Sequence, residues 1–155
     1  MSNYFIVRVN TPHHNTLALA MADMAAIIEQ RGYWKKSVQP TMPVGSPMIA
    51  VGGHGGRGLF LHGIVRSRKW KRVGGGAEGN PTYQHKLGMQ WDHSVYMHDP
   101  SAVDAVLKAA GIRGNPPILR SHSQISQHHY TSALLMVLSG DAVNPWEYDE
   151  EEAAA

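Results

Sequence analysis

PMIAVGGHGGRGLFLHGIVRSRKWKR, residues 47–72, reads as a strand, a glycine-rich turn, a second strand and then a basic tract. Met48 to Val51 is a short apolar run, and Leu59, Phe60, Ile64 and Val65 resume one after the glycines. Two β-prone runs joined by a Gly-containing loop predict a hairpin. A glycine-rich turn after a strand also raises the question of a dinucleotide loop. That motif needs a helix directly behind it, because the helix N-terminus holds the pyrophosphate. Here LFLHGIV follows, which is strand composition, so the stretch is read as a hairpin with a flexible turn. Beyond it lies RSRKWKR, in which Arg66, Arg68, Lys69, Lys71 and Arg72 make five of seven residues cationic.

Around this hairpin the chain reads as one domain over residues 1–143, with an acidic tail or the boundary to a further domain at 144–155. A hydrophobic fraction of 43% fits a globular chain. No run approaches the roughly 20 apolar residues of a membrane span, and MSNYFIVRVN has no charged leader before an apolar core. With no Cys there is no disulfide framework and no thiolate zinc site. A cytoplasmic protein is the expectation. The net charge of +2 hides an asymmetry. Five of the twelve acidic residues (Glu147, Asp149, Glu150, Glu151 and Glu152) fall in the last nine positions, leaving residues 1–146 with 14 basic and 7 acidic side chains. A basic body of this kind suits an anionic partner such as nucleic acid.

In chain order, Tyr4 to Val9 predicts a strand with Phe5, Val7 and Val9 on one face. Residues 10–15 are turn formers, and the adjacent His13 and His14 read as solvated. A helix follows to about Arg31, with Leu17, Ala20, Met21, Met24, Ile27 and Ile28 on its apolar face and Gly32 as its stop. GYWKKSVQPTMPVG, residues 32–45, is expected to be irregular, and residues 73–86 to be a long mobile loop. WDHSVYMH, residues 91–98, reads as a strand with Trp91 on one face and Tyr96 on the other. Two more helices are expected, one over PSAVDAVLKAAG and one capped by Ser126, with Tyr130, Leu134, Leu135 and Leu138 facing the core. The resulting class is α/β (α+β): a small curved, partly closed barrel-like sheet flanked by three helices.

Ten histidines raise metal or hydrolytic chemistry, but HExxH and GxSxG are absent and the paired histidines are adjacent, which is not a zinc spacing. Asp92 and His93, as neighbours on a strand, are expected to face opposite ways. A His-dependent or metal-dependent hydrolase is therefore the minor alternative, and no catalytic residue, metal or cofactor is expected. Nucleic-acid binding is the more coherent reading. Lys35, Lys36, Arg57, Arg66, Arg68, Lys69, Lys71, Arg72 and Lys86 can neutralise phosphates. Trp34, Trp70 and Trp91, with Tyr33, Tyr83 and Tyr96, supply flat faces for bases. Cations interleaved with aromatics suit a single strand or an extruded base. The bland alternative is a protein–protein module whose tryptophans are core.

The order of a YFIV strand, a helix, GYWKKS, the hairpin GSPMIAV…GLFLHGIVRSRKW, a W-type strand and the helix ISQHHYTSALLMVL resembles the PUA-like superfamily, and within it EVE and YTH domains. Gly32, Trp34 and Ser37 resemble the Gly-x-Trp-x-(Ser/Thr) loop of YTH domains, with one residue inserted before the hydroxyl. The resemblance implies a module that grips a modified base, flipped out or single-stranded, in an aromatic pocket. Its nearest version binds 5-methyl- or 5-hydroxymethylcytosine in DNA, as the sensor of a modification-dependent restriction system with a fused or partner nuclease domain. Trp34 and Trp70 would be pocket walls, and Ser37 with the nearby backbone would bond the base edge. Asp92 would accept from an exocyclic amine, and Trp91 or Tyr96 would complete the cage. A reader of N6-methyladenine-type RNA is the alternative within the same resemblance.

Overall fold

The computed structural model describes residues 3–9, 17–35, 42–54, 56–67, 71–72, 85–119 and 121–143. Among them, three helices support one mixed, curled sheet. The hairpin is its centre. Strand β1 (Tyr4–Arg8) is followed by helix α1 (Leu17–Glu29), β2 (Gly32–Lys35), β3 (Pro47–His54) and β4 (Arg57–Val65). Then come β5 (Lys71–Arg72), β6 (His85–Met97), α2 (Ala102–Ala109), β7 (His122–Ile125), α3 (Gln127–Leu138) and β8 (Asp141–Ala142). The main sheet order is β2-β6-β4-β3-β1-β7, with β5 and β8 also on β6. The pair β1–β3 is parallel, and the other pairs are antiparallel.

The hairpin is as tight as its glycines allow. His54 pairs with Arg57, leaving two residues at the turn. Gly56 has φ 81°, a conformation a side chain disfavours, and a Cβ there would meet the Pro100 carbonyl oxygen at 2.0 Å. Val103 N–H donates to Gly56 O at 3.1 Å. The turn is docked on the start of α2, where a flexible loop is expected from the sequence. No helix follows the glycines, in keeping with the rejection of a dinucleotide loop.

The central strands are apolar on both sides because both sides are covered. One face carries Phe5, Val7, Met48, Ala50, Leu59 and Leu61 against Ala20, Met21 and Met24 of α1. The other carries Ile6, Ile49, Val51 and Phe60 against α2 and α3. Phe60 is fully buried, and truncating such a phenylalanine costs about 3–5 kcal/mol. No described helix is long and apolar enough to cross a membrane.

Four expectations change. Residues 32–35 are strand, since Arg31 with φ 53° ends the turn after α1 and Gly32 already pairs with Gly88. β6 begins at His85 and runs 13 residues, absorbing the end of the expected loop. In α3 the inward residues are Tyr130, Ala133 and Val137, while Leu135 is 66% and Leu138 45% exposed. The cap is as expected: Ser126 Oγ accepts from His129 N–H at 3.1 Å. The fourth change is in β6. His62 opposes His93 and Gly63 opposes Trp91, so Asp92 is an extra, bulged residue. A bulge shifts the alternation by one, and Trp91 and Tyr96 both pack on the α1-side core.

Candidate nucleic-acid interface

The start of β6 is where the cationic segments meet. Lys86 lies opposite Trp34 on one side and Lys71 on the other, and His85 lies opposite Lys35 and Arg72. Segments far apart in sequence thus bring Lys35, Lys71, Arg72 and Lys86 into neighbouring register. Three strands carry them: Lys86 and Lys71 share a row with the half-buried Trp34, and Lys35 and Arg72 belong to the next row with His85.

A glycine sets the position of that tryptophan. A Cβ on Gly32 would meet Lys86 Cε at 2.5 Å and the Trp34 ring at 2.8 Å. The indole and the lysine stem therefore lie close over Gly32, where no other residue leaves room. Lys86 Nζ is 5.2 Å from the ring centroid, a cation–π contact worth about 0.5–1 kcal/mol at an exposed site. Trp91 secures the same strand start by donating its Nε1–H to Gly32 O at 3.1 Å. Gly88, opposite Gly32, is bonded on its far side: Arg66 N–H donates to Gly88 O at 2.8 Å, and Gly88 N–H to Ser67 Oγ at 2.6 Å.

A polar row continues along β6. Arg66 donates from Nε to Gln90 Oε1 at 2.8 Å and also from a terminal nitrogen to the same oxygen. Gln90 Nε2 in turn donates to Asp92 Oδ1 at 3.0 Å. Gln90 fixes the guanidinium at the sheet surface while leaving donors for a second partner. Further on, His62 is half-buried. Burial lowers its pKa from the ordinary value, His93 lowers it further, and Asp92 partly opposes them. The bulged Asp92 and its neighbour His93 thus both act electrostatically on His62.

Among the described residues, the expected pocket residues do not form one group. Tyr33, 4% exposed, belongs to the α1-side core, so its ring offers no open face. Trp34 and Trp91 flank Gly32. Asp92 lies six residues further along β6 than Lys86, a separation of about 20 Å in extended chain. Tyr96 is half-buried, and its hydroxyl hydrogen-bonds with His98 Nδ1 at 3.1 Å. Arg57 sits at the opposite end of the hairpin from Arg66. Ser37, Trp70, Lys36, Arg68 and Lys69 lie outside the described residues. Sequence reasoning missed the Gly32–Gly88 pair, Ser67, Gln90 and the His62–His93 pair. Isolated glycines at 63 and 88 within strand composition were the available signal, since they mark bulges or close approach.

Among the described residues no group of three or more His, Asp or Glu is placed to hold a metal ion. Compared with known proteins, the chain matches no family model, no curated protein and no solved structure.

Proposed function

We propose that this chain is a nucleic-acid-binding module that holds an unstacked base against Trp34, with the surrounding cations on the adjoining phosphates. The observation that carries the reading is the register that sets Lys71 and Lys86 in one row with the half-buried Trp34 across three strands, with Lys35 and Arg72 one position along. Phosphate neutralisation gives affinity without sequence, and an aromatic face contributes about 1–3 kcal/mol per stacked base. The chain's order of elements, which resembles EVE and YTH domains, supports a modified base as the occupant. We take 5-methyl- or 5-hydroxymethylcytosine in DNA as that base. The role is binding without catalysis, as the sensor of a modification-dependent restriction system that pairs with a nuclease domain.

Fluorescence anisotropy at one fixed salt concentration tests this with DNA carrying cytosine, 5-methylcytosine or 5-hydroxymethylcytosine. RNA of the same sequence, with and without N6-methyladenine, runs beside it. Modification-dependent DNA binding that Trp34→Ala weakens, with loss of the preference for the modified base, is the expected result. Preference for the methylated RNA would replace the DNA reading with an RNA one. Equal, salt-sensitive binding to every oligonucleotide would leave a basic patch and remove the base pocket.

A further inference from the structure

The bulge in β6 lies beside a second constellation, away from Trp34. The rings of His62 and His93 face each other across β4 and β6 with centroids 5.9 Å apart. His62 is 6.0 Å from the ring of Tyr130 on α3, and Tyr130 is 5.0 Å from Tyr4 on β1. Four rings from four elements thus form one wall at the edge of the second core. Asp92 stands at its rim, bulged out of register. Bulges re-aim side chains and are frequent beside functional sites.

Tyr130 is the most telling member. The residue is 4% exposed, and its hydroxyl is buried with no hydrogen-bond partner among the described residues. A buried hydroxyl left unpaired costs about 1–3 kcal/mol, and it keeps donor and acceptor capacity for a bound partner.

The surroundings narrow the chemistry of that partner. Asp92 acts on His62 electrostatically and would repel an anion. A metal ion lacks a ligand set among the described residues. A purely apolar ligand would leave the hydroxyl unpaired. A flat, uncharged heterocycle meets all the conditions. Rings give it faces, while the imidazoles and the hydroxyl both donate and accept. A carboxylate accepts from an exocyclic amine, as it does from cytosine N4. Asp92 uses one oxygen for Gln90 and has further acceptor capacity.

We infer that Tyr4, His62, Asp92, His93 and Tyr130 form a second base subsite, selective for an amino-bearing base, cytosine or adenine, on the strand whose modified base lies at Trp34. The inference rests on the nucleic-acid reading above. From Lys86 to His93 the strand advances about 23 Å, a distance that a few nucleotides of single strand cover, and Arg66 lies between the two places. Entry of the base requires the half-buried His62 ring to turn away from Tyr130.

The test uses single strands with one central 5-methylcytosine, flanked on both sides either by cytosines or by thymines. Wild-type protein is expected to bind the cytosine-flanked strand about tenfold more tightly, the size of one good base-edge contact. Tyr130→Phe and Asp92→Asn are each expected to erase that preference while leaving the thymine-flanked affinity unchanged. A thermal melt confirms that both variants fold, and Tyr130→Phe keeps its packing ring. Equal binding of the two strands by wild type, or a preference that survives both substitutions, overturns the subsite and leaves the Trp34 platform standing. Failure of both strands to bind overturns the subsite and the Trp34 platform together.

Discussion

At its start β6 runs between β2 and β5, and near its end between β4 and β8. The first region is cationic, with a lysine over a tryptophan and Gly32 beneath. The second is a wall of four rings that includes a half-buried histidine and an orphaned tyrosine hydroxyl. Both are built on one strand, and the break between them falls at Asp92, where the register slips. A single inserted residue thus separates a surface suited to phosphate and stacking from one suited to hydrogen bonding with an uncharged ring.

That division can be broken at its hinge. A Cβ on Gly63 would meet the Gln90 carbonyl oxygen at 2.3 Å and the Trp91 ring at 2.6 Å. Gly63→Val must move backbone as well as side chain. We expect it to lower stability by about 3 kcal/mol, the upper end of overpacking costs, and to disturb both regions. Urea unfolding measures this, and an unchanged midpoint would show that the two regions are not joined through the bulge.

Next in size is the platform itself. Trp34→Ala should weaken nucleic-acid binding by about 1–3 kcal/mol while the imidazole NMR signals of His62 and His93 keep their positions. Movement of those signals would mean that the two regions are one. Tyr130→Phe acts in the opposite sense on stability. Removing an unpaired buried hydroxyl should raise unfolding free energy by about 1 kcal/mol. A loss would mean that the hydroxyl has a partner in the folded chain.

Lys86→Ala should reduce the slope of log affinity against log salt by about 0.7–0.9, the contribution of one phosphate. The same slope in Tyr130→Phe should equal that of wild type, since the second region neutralises no phosphate.

The smallest effect concerns pH. The folded state lowers the pKa of His62 below its ordinary 6.5, chiefly by burial and then by His93, with Asp92 opposing. The unfolded chain then binds the proton more readily. The stability held above pH 6.5 therefore falls as pH drops through that value toward the folded-state pKa, and levels off below it. Melting temperatures at pH 7.5 and 5.5 should differ more for wild type than for His62→Gln. Equal differences would remove His62 from the pH dependence.

Much of the framework was legible in particular residues. The hairpin followed from MIAV and LFL around glycines, the cap of α3 from Ser126, and the inner face of α1 from the spacing of Ala20, Met21 and Met24. The errors have physical causes too. GYWK looked irregular because a glycine and nearby prolines surround it, yet pairing with β6 outweighs local preference. Leu135 and Leu138 looked like core, but docking of α3 turned Tyr130, Ala133 and Val137 inward. Tyr33 looked like a platform and is core, because strand alternation places it opposite in sense to Trp34.

From the order of residues alone came the placement of strands and helices over most of the chain, and a body that is basic and rich in indoles. Local composition and periodicity suffice for that, because both act between near neighbours. The fold was needed to learn which cations meet, that Gly32 lies under Trp34 with Gly88 as its register partner, and that His62, His93 and Tyr130 share a wall. Those relations depend on register between strands distant in sequence, and a one-residue bulge is enough to change which side chains meet.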